Sequence, residues 1–156
     1  MPSFSAIVET RIAAPRAAVF EAIVPIDLPS IFTGYGPLPA VTGTREQSGA
    51  WDGAGQTRVV MLSDGSEAGE RMDRYRHPEY FAYTVSGFTG VLRWLVHSAN
   101  GEWWFEPEGE GTRVRWRYAF NARSWVVALP VWFITRMLWR GYMGKALRLS
   151  REGIEA

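Results

Sequence analysis

A chain of 156 residues with 47% hydrophobic and 21% charged side chains has the length for one domain, 1–156, and a globular composition, which excludes disorder and fibrous repeats. With no cysteine, disulfides, thiol nucleophiles and cysteine-ligated metals are excluded, and with His77 and His97 as the two histidines neither a metal nor a cofactor is expected. A net charge of +1 argues against a nucleic-acid partner, so the unusual feature is the aromatic share, 14% with eight tryptophans.

The N-terminus, MPSFSAIVETR, lacks a basic start followed by an apolar run. No signal peptide is therefore expected, and the cytoplasm is the default location. Residues 4–12 alternate Phe4, Ala6, Val8, Thr10 and Ile12 against Ser5, Ile7, Glu9 and Arg11, which predicts a strand with its even positions turned inward. Pro15 suits the first position of a short helix running to about Ile23, with Val19, Ala22 and Ile23 on one face. A second helical turn follows Asp27, and GYGPLP ends it.

From about residue 39 the text is strand and turn. A run near Val41 to Gln47 precedes QTRVVML, then the Asp64–Gly65 turn, then SEAGERMDRY, and the Asp-Gly pair signals a hairpin. The glycine-bearing WDGAGQTR precedes a strand and lacks the Lys-Ser/Thr of a phosphate loop, so it reads as a turn. RHPE leads into YFAYTV, and residues 88–96 fit either a loop with a helical turn or a further strand. A bulge at Asn100 and Gly101 would let residues 97–106 form one strand, hairpinned through EPEGEG onto GTRVRWRYAF.

That last stretch sends Thr112, Val114, Trp116, Tyr118 and Phe120 to one face and Arg113, Arg115 and Arg117 to the other. Glu102, Trp104 and Glu106 would lie beside the arginines, so cross-strand pairing explains the row without a nucleic-acid ligand. The last third, from Ser124 to about Glu152, is helical by pattern, and Pro130 either kinks that helix or marks its start. Its uncharged segment 124–135 is well short of the roughly 20 apolar residues a membrane span needs. Runs of strands with the helices set apart predict an α+β fold.

No GxSxG elbow, HExxH pair or paired-carboxylate spacing appears. What remains is a set of polar residues on faces that should be internal. Glu70 shares parity with Met72, Tyr83 with Phe81 and Val85, and His97 with Trp103 and Phe105 unless the bulge at Asn100 turns it out. An inward Glu70 needs a partner, a neutral state or water, which points either to a cavity or to a position at the sheet edge.

The opening strand with AAPRAAVFEAI, the segment ERMDRYRHPEYFAYTV, the hairpin WWFEPEGEGTRVRWRYAF and the C-terminal GYMGKALRLSREGIE together resemble the START-related helix-grip (SRPBCC) superfamily. That group includes the polyketide cyclase/dehydrase and lipid-transport proteins and the birch-pollen-allergen-like proteins. The resemblance implies a curved antiparallel sheet of about seven strands around a long C-terminal helix, enclosing a mostly apolar cavity. It implies a small hydrophobic ligand, lipid-like or aromatic, contacted by Glu70, Met72, Phe81, Tyr83, His97, Trp103, Trp116, Tyr118, Phe133 and Met137. A cyclase or aromatase would use Glu70, Tyr83 or His97 as acid or base. From Trp125 to Trp139 the helix is apolar on nearly all sides, more than one sheet can cover, so residues 125–139 point to a contact with a second copy of the chain, a mobile lid or docking on a membrane surface.

Overall fold

The structure is a computed structural model describing residues 2–156. Strands β1 (Ser3–Ile12), β2 (Val41–Arg45), β3 (Thr57–Leu62), β4 (Glu67–Arg76), β5 (Tyr80–Ser86), β6 (Val96–Glu108) and β7 (Gly111–Ala122) form one antiparallel sheet in the order β1-β7-β6-β5-β4-β3-β2. Apart from β1, which closes onto β7, each strand pairs with its chain neighbour, the pattern that short turns between alternating strands produce. Two short helices, α1 (Arg16–Ile23) and α2 (Leu28–Ile31), follow β1, and one helical turn, α3 (Leu92–Leu95), precedes β6. Residues 88–96 are thus a loop with a helical turn.

The C-terminal helix runs for 31 residues. It opens with a 3-10 turn, Trp125–Val127, passes through α4 (Ala128–Phe133) and a π-helical stretch, Ile134–Trp139, and ends as α5 (Arg140–Glu155). Pro130 is the third residue of α4, where its missing N–H is not needed, so it marks the start of the α-helical part. Wider π turns rotate the side chains that follow, which sets the face the helix offers the sheet. α5 is anchored to β1, where the Ala13 amide donates to Glu155 Oε2 at 2.8 Å.

The alternation of β7 is borne out. Thr112, Val114, Trp116, Tyr118 and Phe120 are buried, while Arg113 and Arg115 are exposed and Arg117 is half-buried. Glu102 stands opposite Arg117 and Glu106 opposite Arg113 in register. Arg113 bridges Glu9 at 2.8 Å and Glu108 at 3.2 Å, Arg117 meets Glu102 at 3.4 Å, and Arg115 lies over Trp104. Two of the three guanidiniums are thus paired with carboxylates and the third rests on an indole.

Two expectations about β6 are corrected. The register shift lies between Val96 and Ser98, at His97, and Asn100 and Gly101 pair in regular register with Ala119 and Tyr118. An extra residue at that point reverses parity for everything before it, so His97 is exposed while Val96 and Ala99 are buried.

Candidate functional site

Between the concave face of the sheet and the C-terminal helix lies a cavity of about 400 Å³. Phe81, Tyr83 and Val85 of β5, Trp103 of β6 and Trp116 and Tyr118 of β7 form its wall. The helix contributes Ile134, Leu138 and Tyr142, four residues apart, together with Trp139. α1, α2 and the following segment close another side through Ile23, Ile31 and Phe32. Aromatic contacts link the wall: Trp103 and Trp116 stack at 4.5 Å between centroids, and Trp139 meets Tyr118 at 4.9 Å in a tilted arrangement.

The polar groups are few and linked. Arg58 of β3 is 8% exposed, and its Nε donates to Oε1 of Glu70 on β4 at 2.8 Å. The guanidinium lies 4.0 Å from the centroid of Trp51, whose own ring is 1% exposed. Trp51 holds this place with φ at 58°, a left-handed conformation that costs a non-glycine residue about 1–3 kcal/mol, which burial of the indole offsets. Across the sheet, Trp116 Nε1 donates to the Tyr83 hydroxyl at 3.2 Å.

Tyr83 reaches this position because its strand neighbour has no side chain. A Cβ on Gly101 would sit 2.2 Å from Tyr83 Cζ, so the phenol lies across β6 and points toward Tyr118. Burial pushes the pKa of both phenols up, with the Glu70 carboxylate adding to it at each. Both are therefore neutral hydroxyls at neutral pH, able to donate a hydrogen bond and poorly suited to take a proton.

Next to this set, the segment Gly34–Pro39 is clamped over the cavity by α5. The Tyr142 hydroxyl accepts from the Gly34 amide at 3.0 Å and donates to the Pro39 carbonyl at 2.8 Å, while Lys145 Nζ donates to the Gly34 carbonyl at 2.8 Å. The Tyr35 ring packs where a Cβ on Gly141 would be, 2.4 Å from its Cζ.

Of the expected ligand contacts, Glu70, Phe81, Tyr83, Trp103, Trp116 and Tyr118 are brought together on the cavity wall. Four are placed elsewhere. Met72 is fully buried in the core away from the lining, and His97 is turned out by its bulge. Phe133 and Met137, 50% and 53% exposed, lie one residue out of phase with Ile134 and Leu138 and so face away from the sheet. With His97 outside, the acid–base candidates in the cavity reduce to Glu70 and Tyr83. Sequence reading missed Arg58, although it shares parity with Val60 and Leu62 on its strand, and missed Trp51, which no periodicity marks.

No curated protein matches the chain. The crystal structure of Ara h 8.0201 is similar at 15% identity and a TM-score of 0.74, covering 98% of each chain. The major latex-like protein 151 from Panax ginseng is similar at 15% identity and a TM-score of 0.73, covering 99% of each. XoxI from Bacillus cereus follows at 15% identity and 0.66, covering 96% of this chain and 94% of that one. At such identities these likenesses speak for the helix-grip fold alone. A family model described as polyketide cyclase / dehydrase and lipid transport matches residues 4–155, nearly the whole chain, and the protein belongs to that family.

Proposed function

We propose that the protein binds a small hydrophobic ligand, lipid-like or aromatic, in this cavity and carries it without transforming it. The observation that supports the reading best is the cavity itself: about 400 Å³, walled mainly by aromatic and aliphatic side chains, with Arg58, Glu70, Tyr83 and Tyr118 as its most buried polar set and Asp64, Ser66, Glu67 and Thr89 as more exposed polar lining. Volumes of about 300–1,000 Å³ with few polar groups are the form of small-molecule sites. A ligand burying about 300 Å² of apolar surface gains roughly 7 kcal/mol before an association cost of at least about 4. Contacts to the polar set then decide whether binding is weak or micromolar.

A carrier suits the chemistry of the wall. Neutral phenols at Tyr83 and Tyr118 hold a carbonyl or hydroxyl oxygen in place, whereas proton abstraction would need a phenolate that burial disfavours. The second reading, a cyclase or aromatase-type enzyme, rests on Glu70, whose carboxylate stands inside the cavity wall and could exchange a proton with a bound substrate.

Native mass spectrometry of the purified protein identifies a co-purifying ligand, and Glu70→Gln then separates the readings. A carrier keeps binding within about tenfold, roughly 1.4 kcal/mol. An acid–base enzyme loses about a hundredfold or more in turnover with binding little changed.

A further inference from the structure

The apolar surplus of the C-terminal helix is not isolated. At its N-terminal end Trp125, Val126, Leu129, Phe133 and Met137 are exposed, at 76%, 90%, 74%, 50% and 53%. Beside them α3 and the residue before it expose Val91 at 74% and Trp94 at 66%. The two segments are tied together, since the Arg123 amide donates to the Leu95 carbonyl at 2.9 Å and Arg123 Nε donates to the Arg93 carbonyl at 2.6 Å. Both also reach the cavity, through Val91 and Leu92 on one side and Ile134 and Leu138 on the other. Two linked segments bearing exposed apolar side chains, two tryptophans among them, therefore lie next to the cavity wall.

Their charge is one-sided. Arg93, Arg123, Arg136 and Arg140 are exposed on or beside these segments, and Arg93 lies 4.5 Å over the Trp94 ring. No acidic residue occurs between Glu79 and Glu102 or between Glu110 and Glu152, the stretches that build the surface. The acids of the cavity lining are Asp64, Glu67 and Glu70, and all are engaged, Glu67 by Arg45 at 2.6 Å, Glu70 by Arg58 at 2.8 Å and Asp64 by Ser66. Exposed tryptophans among aliphatic side chains with an arginine rim match the interface of a bilayer carrying negative headgroups. A second copy of the chain fits poorly, because a two-fold contact through this face would set arginines against arginines with no acid between them.

We propose that the surface formed by α3 and the first turns of the C-terminal helix docks onto an anionic lipid bilayer, with the adjoining cavity wall toward the headgroups. No helix of the described residues is long and apolar enough to cross a membrane, so the contact is peripheral. Docking opens a route for an apolar ligand between bilayer and cavity that bypasses water. The docking step itself stands whether or not the cavity reading holds.

Sedimentation with vesicles of phosphatidylcholine alone, or mixed with phosphatidylglycerol, tests this on the full chain. The wild type is expected to pellet with the mixed vesicles and far less with the neutral ones, and added salt should release it. Each arginine near a negative surface contributes about a factor of five to partition, so R136Q/R140Q should weaken binding to the mixed vesicles roughly twentyfold and leave the neutral ones unchanged. W125S/L129S should lose about tenfold or more on both. Titration of each variant with 1-anilinonaphthalene-8-sulfonate reports the cavity separately, and should match wild type. Arg136 and Arg140 are solvent-exposed, so their variant decides alone if the apolar variant folds poorly. A wild type that stays in the supernatant with both vesicles overturns the proposal, as does binding indifferent to phosphatidylglycerol and to both variants. A wild-type dimer that W125S/L129S dissolves, without vesicle binding, assigns the surface to a second copy instead.

Discussion

Arg58 and Glu70 face each other across β3 and β4 with Nε and Oε1 2.8 Å apart and side chains 7% and 13% exposed. The carboxylate turned toward an apolar interior has thus found its counter-charge on the adjacent strand, and Trp51 covers the other side of the guanidinium at 4.0 Å. A pair of this kind costs much desolvation and returns it through mutual attraction, so its members depend on each other.

Removing one member should be costly and removing both should not. Arg58→Met is expected to lower unfolding stability by about 3 kcal/mol, because it leaves Glu70 buried without a partner, while Arg58→Met with Glu70→Leu recovers most of that loss. Urea denaturation of the single and double variants measures the difference. Equal losses in both would show that the pair is hydrated and weakly coupled.

Gly101 is expected to be intolerant of a methyl group because the Tyr83 ring occupies its space, 2.2 Å from a Cβ. Gly101→Ala should cost about 1–3 kcal/mol by displacing the ring and breaking the Trp116–Tyr83 bond. In a Tyr83→Leu background, where the phenol is gone, the same change should cost much less. Thermal or chemical denaturation of the cycle tests this, and additive losses would contradict it.

Alkaline pH should destabilise the fold through Tyr83 and Tyr118. Their folded pKa values lie above the ordinary 10.0, so the stability they carry is complete below pH 10 and is lost as the pH rises toward the folded values, where the unfolded chain releases protons the native state retains. Tyr83→Phe with Tyr118→Phe should flatten the fall in stability above pH 10, the ordinary tyrosine value. Denaturant midpoints at successive pH values give the slope directly, and an unchanged slope in the double variant would place the titrating groups elsewhere.

Tyr142→Phe should loosen Gly34–Pro39 without unfolding the sheet, since the hydroxyl accepts from Gly34 and donates to Pro39. Hydrogen exchange at the Gly34 amide is expected to rise about tenfold, the equivalent of one hydrogen bond of roughly 1.5 kcal/mol. Exchange in β6 and β7 should not change. Protection retained at Gly34 would mean that Lys145 alone holds the segment.

Much of the fold could be read because its elements announce their phase. β7 alternates from Thr112 to Phe120, and Asp64–Gly65 marks the β3–β4 hairpin, with Gly65 at φ 86°. Legibility failed where phase is set by something the pattern does not carry. His97 depended on which residue of β6 bulges, and a one-residue difference reverses a side chain. Phe133 and Met137 sit in a helix apolar on nearly every side, where periodicity gives no direction, and the π stretch shifts it further. Arg58 was readable from its parity with Val60, but an arginine in a strand suggests a solvated face until its partner is known. Trp51 was not readable at all, since a turn residue with φ at 58° reaches the cavity only through tertiary packing.

Whether the cavity is a ligand site is decided by a fluorescence titration of wild type and Ala68→Trp with 1-anilinonaphthalene-8-sulfonate. Ala68 lines the cavity and is 6% exposed, so an indole there fills space that a ligand would occupy. Saturable binding of one probe is expected in the wild type, weakened at least about tenfold, roughly 1.4 kcal/mol, in the folded Ala68→Trp variant. Saturable binding of equal affinity in both proteins, or none in the wild type, would contradict a ligand site in the cavity.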